Sequence, residues 1–115
     1  VPYHVMIFKA SMEDAPTVDL YLGSAHTVNL YWESAGHEIG LPTISAVTER
    51  VDSEAGFSLS GRALTGFKEE LVALLKYWGQ SHVEYVLSPH HFDVVSAIIA
   101  TLNDESFDKA TLVIC

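Results

Sequence analysis

The chain of 115 residues predicts an α+β fold: a two-layer sandwich with a mainly antiparallel sheet and two amphipathic helices on one face. Residues 17–33 alternate apolar and polar with period two. Segments 60–79 and 88–103 carry apolar stripes at helical spacing between recognisable caps. Short apolar runs open and close the chain. One domain over residues 1–115 fits this length, and a hydrophobic content of 49 % supplies a core and argues against long disorder.

Residues 3–9 read as a first strand, and 11–16, with Glu13, Asp14 and Pro16, as a loop. Thr17-Val18-Asp19-Leu20-Tyr21 then recurs as Thr27-Val28-Asn29-Leu30-Tyr31, and Ser24-Ala25 as Ser34-Ala35. Val18, Leu20 and Leu22 alternate with polar neighbours, as do Val28, Leu30 and Trp32. That is the signature of half-buried strands, so the repeat predicts a hairpin. Shared parity pairs Leu22 with Val28, Leu20 with Leu30 and Val18 with Trp32. Gly23 to His26 form the tip.

Residues 44–51 read as a further strand, 52–56 as a turn and 57–59 as a short strand. Ser60 is placed as the N-cap of the first helix, with Leu59 and Leu64 as a hydrophobic staple. Leu64, Phe67, Leu71, Leu74, Leu75 and Trp78 form its stripe, and Gly79 its end. Ser88, Pro89 and the pair Leu87 and Phe92 begin the second helix in the same way. Val95, Ile98, Ile99 and Leu102 give its stripe. Residues 83–87 read as a strand between the helices and 111–115 as the last one. An alternative for the C-terminal half is a set of βαβ-like crossovers.

The net charge of −9 argues against nucleic acid and anionic membrane as partners. No Lys or Arg occurs between Lys9 and Arg50, where Glu13, Asp14, Asp19, Glu33, Glu38 and Glu49 all fall. No apolar run approaches the ~20 residues of a membrane span. Residues 1–5 lack the basic head and apolar stretch of a signal peptide. With one cysteine, Cys115, an intramolecular disulfide is impossible and a reducing, cytoplasmic setting is expected.

Chemistry-bearing patterns are sparse. His90 and His91 are adjacent and diverge on a helix. His37-Glu38 has half of a zinc-protease motif, but Leu41 stands where the second histidine belongs. No metal or other cofactor is expected; His37, His90 and His91 are the first ligand candidates should one bind. Cys115 has no histidine near it in sequence, no phosphate-cradling glycine loop occurs, and no catalytic residues are assigned. What remains is the polar face of the predicted hairpin: Asp19, Tyr21, Asn29, Tyr31 and Glu33. Tyrosines supply contact area and acids steer a basic partner, which makes these five the candidate partner-binding residues. The same pattern also suits a plain solvent face on which tyrosines are good strand formers.

The small acidic chain, its N-terminal strands followed by capped helices, and the stretches FSLSGRALTGFKEELVALLKYW and YVLSPHHFDVVSAIIATL resemble the bacterial immunity proteins of interbacterial competition. The resemblance implies a non-enzymatic, stoichiometric inhibitor of a basic, often nuclease, toxin, and it brings no site residues with it. Two other readings stand beside it. One is a small enzyme or ligand-binding domain with a pocket between sheet and helices. The other is a structural subunit whose tyrosine-rich face pairs with a copy of itself.

Overall fold

A computed structural model describes residues 2–10, 15–80 and 89–115. Four strands, β1 (Tyr3–Phe8), β2 (Val18–Gly23), β3 (Phe57–Ser60) and β4 (Thr111–Ile114), form one sheet in the order β2-β1-β4-β3. Every neighbouring pair is antiparallel, so the chain is α+β, and no βαβ-like crossover occurs among the described strands. The helices are α1 (Ala25–Val28), α2 (Ser34–Ile39), α3 (Val47–Asp52), α4 (Gly61–Trp78) and α5 (Pro89–Asn103). A π-helical turn, Asn29–Glu33, joins α1 to α2, and 3₁₀ turns occupy Ile44–Ala46 and Glu105–Phe107. No helix among the described residues is long and apolar enough to cross a membrane.

The sheet is amphipathic because its strands alternate. Tyr3, Val5 and Ile7 of β1, Phe57 and Leu59 of β3, and Leu112 and Ile114 of β4 are buried in one core. The expected stripe of α4 packs onto them through Leu64, Phe67, Leu71, Leu74 and Trp78, with the Phe57 and Phe67 rings 5.5 Å apart. Val94, Val95 and Ile98 of α5 complete the layer. Ile99 and Leu102 are half-buried against it, while Phe92 is exposed. Ser60 has extended backbone at the α4 N-cap but forms no side-chain cap bond. The expected strand over 83–87, with Leu87 and Ser88, lies outside the described residues.

Two expected strands are helical. The second copy of the repeat is not a strand, because β1 takes the hairpin place beside β2. Val5 pairs with Leu20 and Ile7 with Val18, with an irregularity in register between Tyr3 and His4. Gly23, at φ +128°, ends β2. Ser24 then caps α1 by accepting from the Thr27 N–H, while the Thr27 hydroxyl donates to the Ser24 carbonyl. Val28, Trp32 and Ala35 are buried, which is helical spacing. Leu30, expected in the core opposite Leu20, is 44 % exposed.

Residues 44–51 are likewise not a strand. Ile44 and Val47 are buried and Val51 packs partly against the core, again at helical spacing. Two carboxylates from other elements fix this segment. Glu70 Oε1 accepts from the N–H groups of Thr43 and Ile44, both at 3.0 Å. The buried Glu33 accepts from the Thr48 N–H at 3.1 Å and from its hydroxyl at 2.8 Å. Each satisfies donors that the start of a helix leaves open.

Leu71→Ala in the fully buried α4 stripe should lower unfolding stability by roughly 2–5 kcal/mol. Glu33→Ala leaves the Thr48 donors and the Asn29 amide without their acceptor, and should cost about 2–3 kcal/mol. Urea unfolding of each variant beside wild type measures both.

Candidate binding face

The helices cover one face of the sheet, and the alternate residues of each strand form the other. His4, Met6 and Phe8 of β1 are half-buried there, with Asp19 and Tyr21 of β2 exposed at the edge. Cross-strand register assembles a row, Asp19–Met6–Val113–Ser58, across all four strands. Phe8, Thr111 and Ser60 form a second row, and Tyr21 lies opposite His4. The centre is apolar through Met6, Phe8 and Val113. Its β2 edge is aromatic and acidic, and none of these strand residues is Lys or Arg.

His4 organises that edge. Its Nδ1 lies 2.9 Å from Asp19 Oδ1, with side chains 42 % and 52 % exposed. Such an exposed contact contributes at most about 1 kcal/mol, but it restricts both side chains. The Tyr21 ring meets the His4 ring edge-on at 5.7 Å and the His90 ring of α5 at 5.6 Å. Tyr21 is thereby flanked by two imidazoles while 52 % of it stays exposed. A rigid ring with accessible area loses little entropy on docking.

The ring contacts continue inward. His90 meets His91 at 5.6 Å, and His91 meets Tyr31 at 4.8 Å. The Trp78 indole N–H donates to the Tyr31 carbonyl at 3.2 Å, which ties the π-helical turn to the end of α4. His91 is buried, and its Nδ1 has no hydrogen-bond partner among the described residues. Burial, and secondarily the neighbouring His90, lowers its pKa from 6.5 to about 4. Gly23 permits the close approach here: a Cβ on it would sit 2.7 Å from Thr27 Oγ1 and 3.8 Å from the His91 ring.

The five candidate residues are therefore dispersed. Asp19 and Tyr21 share the open face. Asn29 is exposed on the π-helical turn and donates to Glu33. Tyr31 is half-buried against His91, whose ring meets His90, which in turn meets Tyr21. Glu33 is 4 % exposed, so the assignment of Glu33 to the surface is corrected. Its helical position turns it inward to Thr48. His4, Met6, Phe8 and Val113 join the site without having been singled out, and His90, weighed in the sequence only as a metal ligand, joins it as a ring neighbour of Tyr21. The parity of residues 3–9 was the available signal for the first three: if Val5 and Ile7 face inward, His4, Met6 and Phe8 face outward. No group of three His, Cys, Asp or Glu among the described residues is arranged to hold a metal ion. Cys115 is exposed beside the end of β4.

Because His91 is harder to protonate folded than unfolded, acid favours the unfolded chain. Its contribution to stability is present above pH 6.5, falls as pH drops toward about 4, and is lost below that. Across that window His91→Leu should flatten the stability profile relative to wild type by no more than about 3 kcal/mol. Urea unfolding of both proteins through the window tests this; parallel profiles would remove His91 as the cause.

No family model, no curated protein and no solved structure matches this chain.

Proposed function

We propose that this chain is a non-enzymatic binding protein that docks a basic protein through the open face of its sheet. On this reading it acts as an immunity protein, covering the working groove of a basic, nuclease-type toxin. One observation supports the reading above the others. Tyr21, 52 % exposed and held between His4 and His90, stands beside the carboxylate of Asp19 on a face whose strand residues include no Lys or Arg. An aromatic anchor next to an acid suits a basic surface. The half-buried Met6, Phe8 and Val113 offer apolar area for the centre of the contact. The net charge of −9 adds long-range attraction to a cationic partner and speeds encounter at low salt.

On this reading the interface comprises Asp19 and Tyr21, with His4 and Met6 beside them. Glu33 and Tyr31 act in the fold that supports this edge. A partner recovered under low-salt conditions and identified provides the test. Tyr21→Ala should raise its dissociation rate about ten-fold or more, which corresponds to roughly 1.4 kcal/mol. Asp19→Asn should instead slow association and weaken its salt dependence. Leu30→Ala, exposed on the π-helical turn, should change neither rate. Cells expressing the partner should be protected by wild type and lose protection with the Tyr21 variant. Unchanged kinetics for Tyr21→Ala would place the interface elsewhere, and absence of protection would remove the immunity reading while leaving the docking face to be judged by the kinetics.

A further inference from the structure

β2 is the terminal strand of the order β2-β1-β4-β3, and no strand among the described residues pairs with its outer side. Which of its main-chain groups point outward follows from the bonds of β1. The His4 N–H donates to the Cys115 carbonyl at 2.8 Å, and the Cys115 N–H donates to the His4 carbonyl at 3.1 Å. His4 therefore turns its main-chain groups toward the β4 side. Successive residues of a strand bond to opposite sides, so Met6 and Phe8, opposite Val113 and Thr111, do the same. Val5 and Ile7 then bond toward β2, where they lie opposite Leu20 and Val18. The Thr17 N–H donates to the Ile7 carbonyl at 2.9 Å, which places that carbonyl on the β2 side as the alternation requires. Val18 and Leu20 thus complete the inner ladder, and Asp19 and Tyr21 aim their N–H and C=O groups out of the sheet.

Edge strands of proteins that stay monomeric are commonly blunted by Lys, by Pro or by a charge pointing inward. Val18–Gly23 contains neither Lys nor Pro, and its core-side residues, Val18, Leu20 and Leu22, are apolar. Leu22 is fully buried, whereas Val18 and Leu20 are half-buried against the core and leave apolar area at the edge. The strand thus offers unpaired main-chain groups beside an uncovered apolar margin.

We propose that a second copy of this chain pairs with β2, antiparallel, about a twofold axis at Leu20. Asp19 of each copy then lies opposite Tyr21 of the other, and both pairs exchange their N–H···O=C bonds. On the core side Leu20 meets Leu20 of the other copy, which covers the apolar margin. Charge and backbone select this register. An axis at Asp19 would set carboxylate opposite carboxylate. An axis at Tyr21 would set Asp19 opposite Gly23, where φ of +128° ends the regular strand. The two sheets join into one continuous sheet. Self-pairing draws on main-chain groups at the edge, whereas docking of a basic protein draws on side chains of the face, so either can hold without the other.

Sedimentation of the full chain over a range of concentrations tests this, under reducing conditions so that the exposed Cys115 forms no cross-link. Monomer and dimer should interconvert with a dissociation constant of about 100 µM or below. Added salt should strengthen the dimer, because it screens repulsion between two chains of net charge −9, whereas salt weakens docking of a basic protein. Tyr21→Pro deletes an outward N–H and leaves the bonds to β1, so it should raise the dissociation constant about ten-fold or more. Ser58→Pro is the matching change on the opposite edge, since Phe57 and Leu59 take the bonds to β4 by the same alternation, and it should leave the constant unaltered. Cross-linking reads the register directly. In a Cys115→Ser background, Leu20→Cys should oxidise with copper phenanthroline to a disulfide-linked dimer, because opposed non-hydrogen-bonded residues lie ~4.5 Å apart at Cα, within disulfide reach. Tyr21→Cys in the same background should cross-link far more slowly. A single monomeric species up to about 1 mM, cross-linking at position 21 as fast as at position 20, or weakening by Ser58→Pro rather than by Tyr21→Pro overturns the proposal.

Discussion

The carboxylate of Glu33, buried and bonded to Thr48, is the contact on which the rest of the fold most depends. It comes from the π-helical turn and receives the N–H and hydroxyl of the second residue of α3. Glu70 does the same from α4 for Thr43 and Ile44. Together they pin residues 43–52 against two other elements and fix where α2 and α3 lie over the sheet. A buried carboxylate without donors would be costly, and a helix start without acceptors would be costly too. Each group removes the other's penalty. The Tyr3 hydroxyl shares this region: burial first, then Asp52 and Glu33, raises its pKa above the usual tyrosine value, which keeps it neutral beside two acids.

These long-range bonds are what the sequence could not display. The α4 stripe was legible because Leu64, Phe67, Leu71, Leu74 and Trp78 fit helical spacing over eighteen residues, and no strand period competes at that length. Residues 28–32 offered no such decision. Val28 and Trp32 share parity, as a strand requires, and are four apart, as a helix requires. The two readings differ at Leu30, which a strand buries and a helix exposes, and at Ala35. The Ser24 cap and the break at Gly23 tip the balance to helix. Nothing local in 44–51 announced a helix either, since its start is capped by Glu33 and Glu70 from elsewhere in the chain rather than by its own Ser or Asp. Asp19 and Tyr21 were legible as surface because their strand was correctly read. Glu33 was misplaced because its strand was not.

A two-layer sandwich must leave one sheet face without a helix over it, and that constraint produces the candidate binding face. The inward residues of β1 and β4 are buried in the core, while their outward neighbours Met6, Phe8 and Val113 are half-buried. Tyr21 gains definition from α5, whose first turn brings His90 to the sheet edge. The same turn inserts His91 behind Gly23 and against Tyr31. Packing of α5 therefore positions the exposed ring, and the buried imidazole couples that packing to proton uptake.

Charge is distributed unevenly over this scaffold. Asp19 lies at the β2 edge in a stretch of chain without Lys or Arg, whereas Lys9, Arg62, Lys68 and Lys109 gather where α4, α5 and the entry to β4 meet. A cationic partner approaching such a molecule is drawn to the first region and repelled by the second, so attraction also orients the encounter. The basic end is thereby left uncovered by a partner on the open face. Asp104 and Asp108 offset part of that basic charge. The fold thus separates an acidic sheet edge from a more basic end, with α5 reaching both through His90 and Leu102.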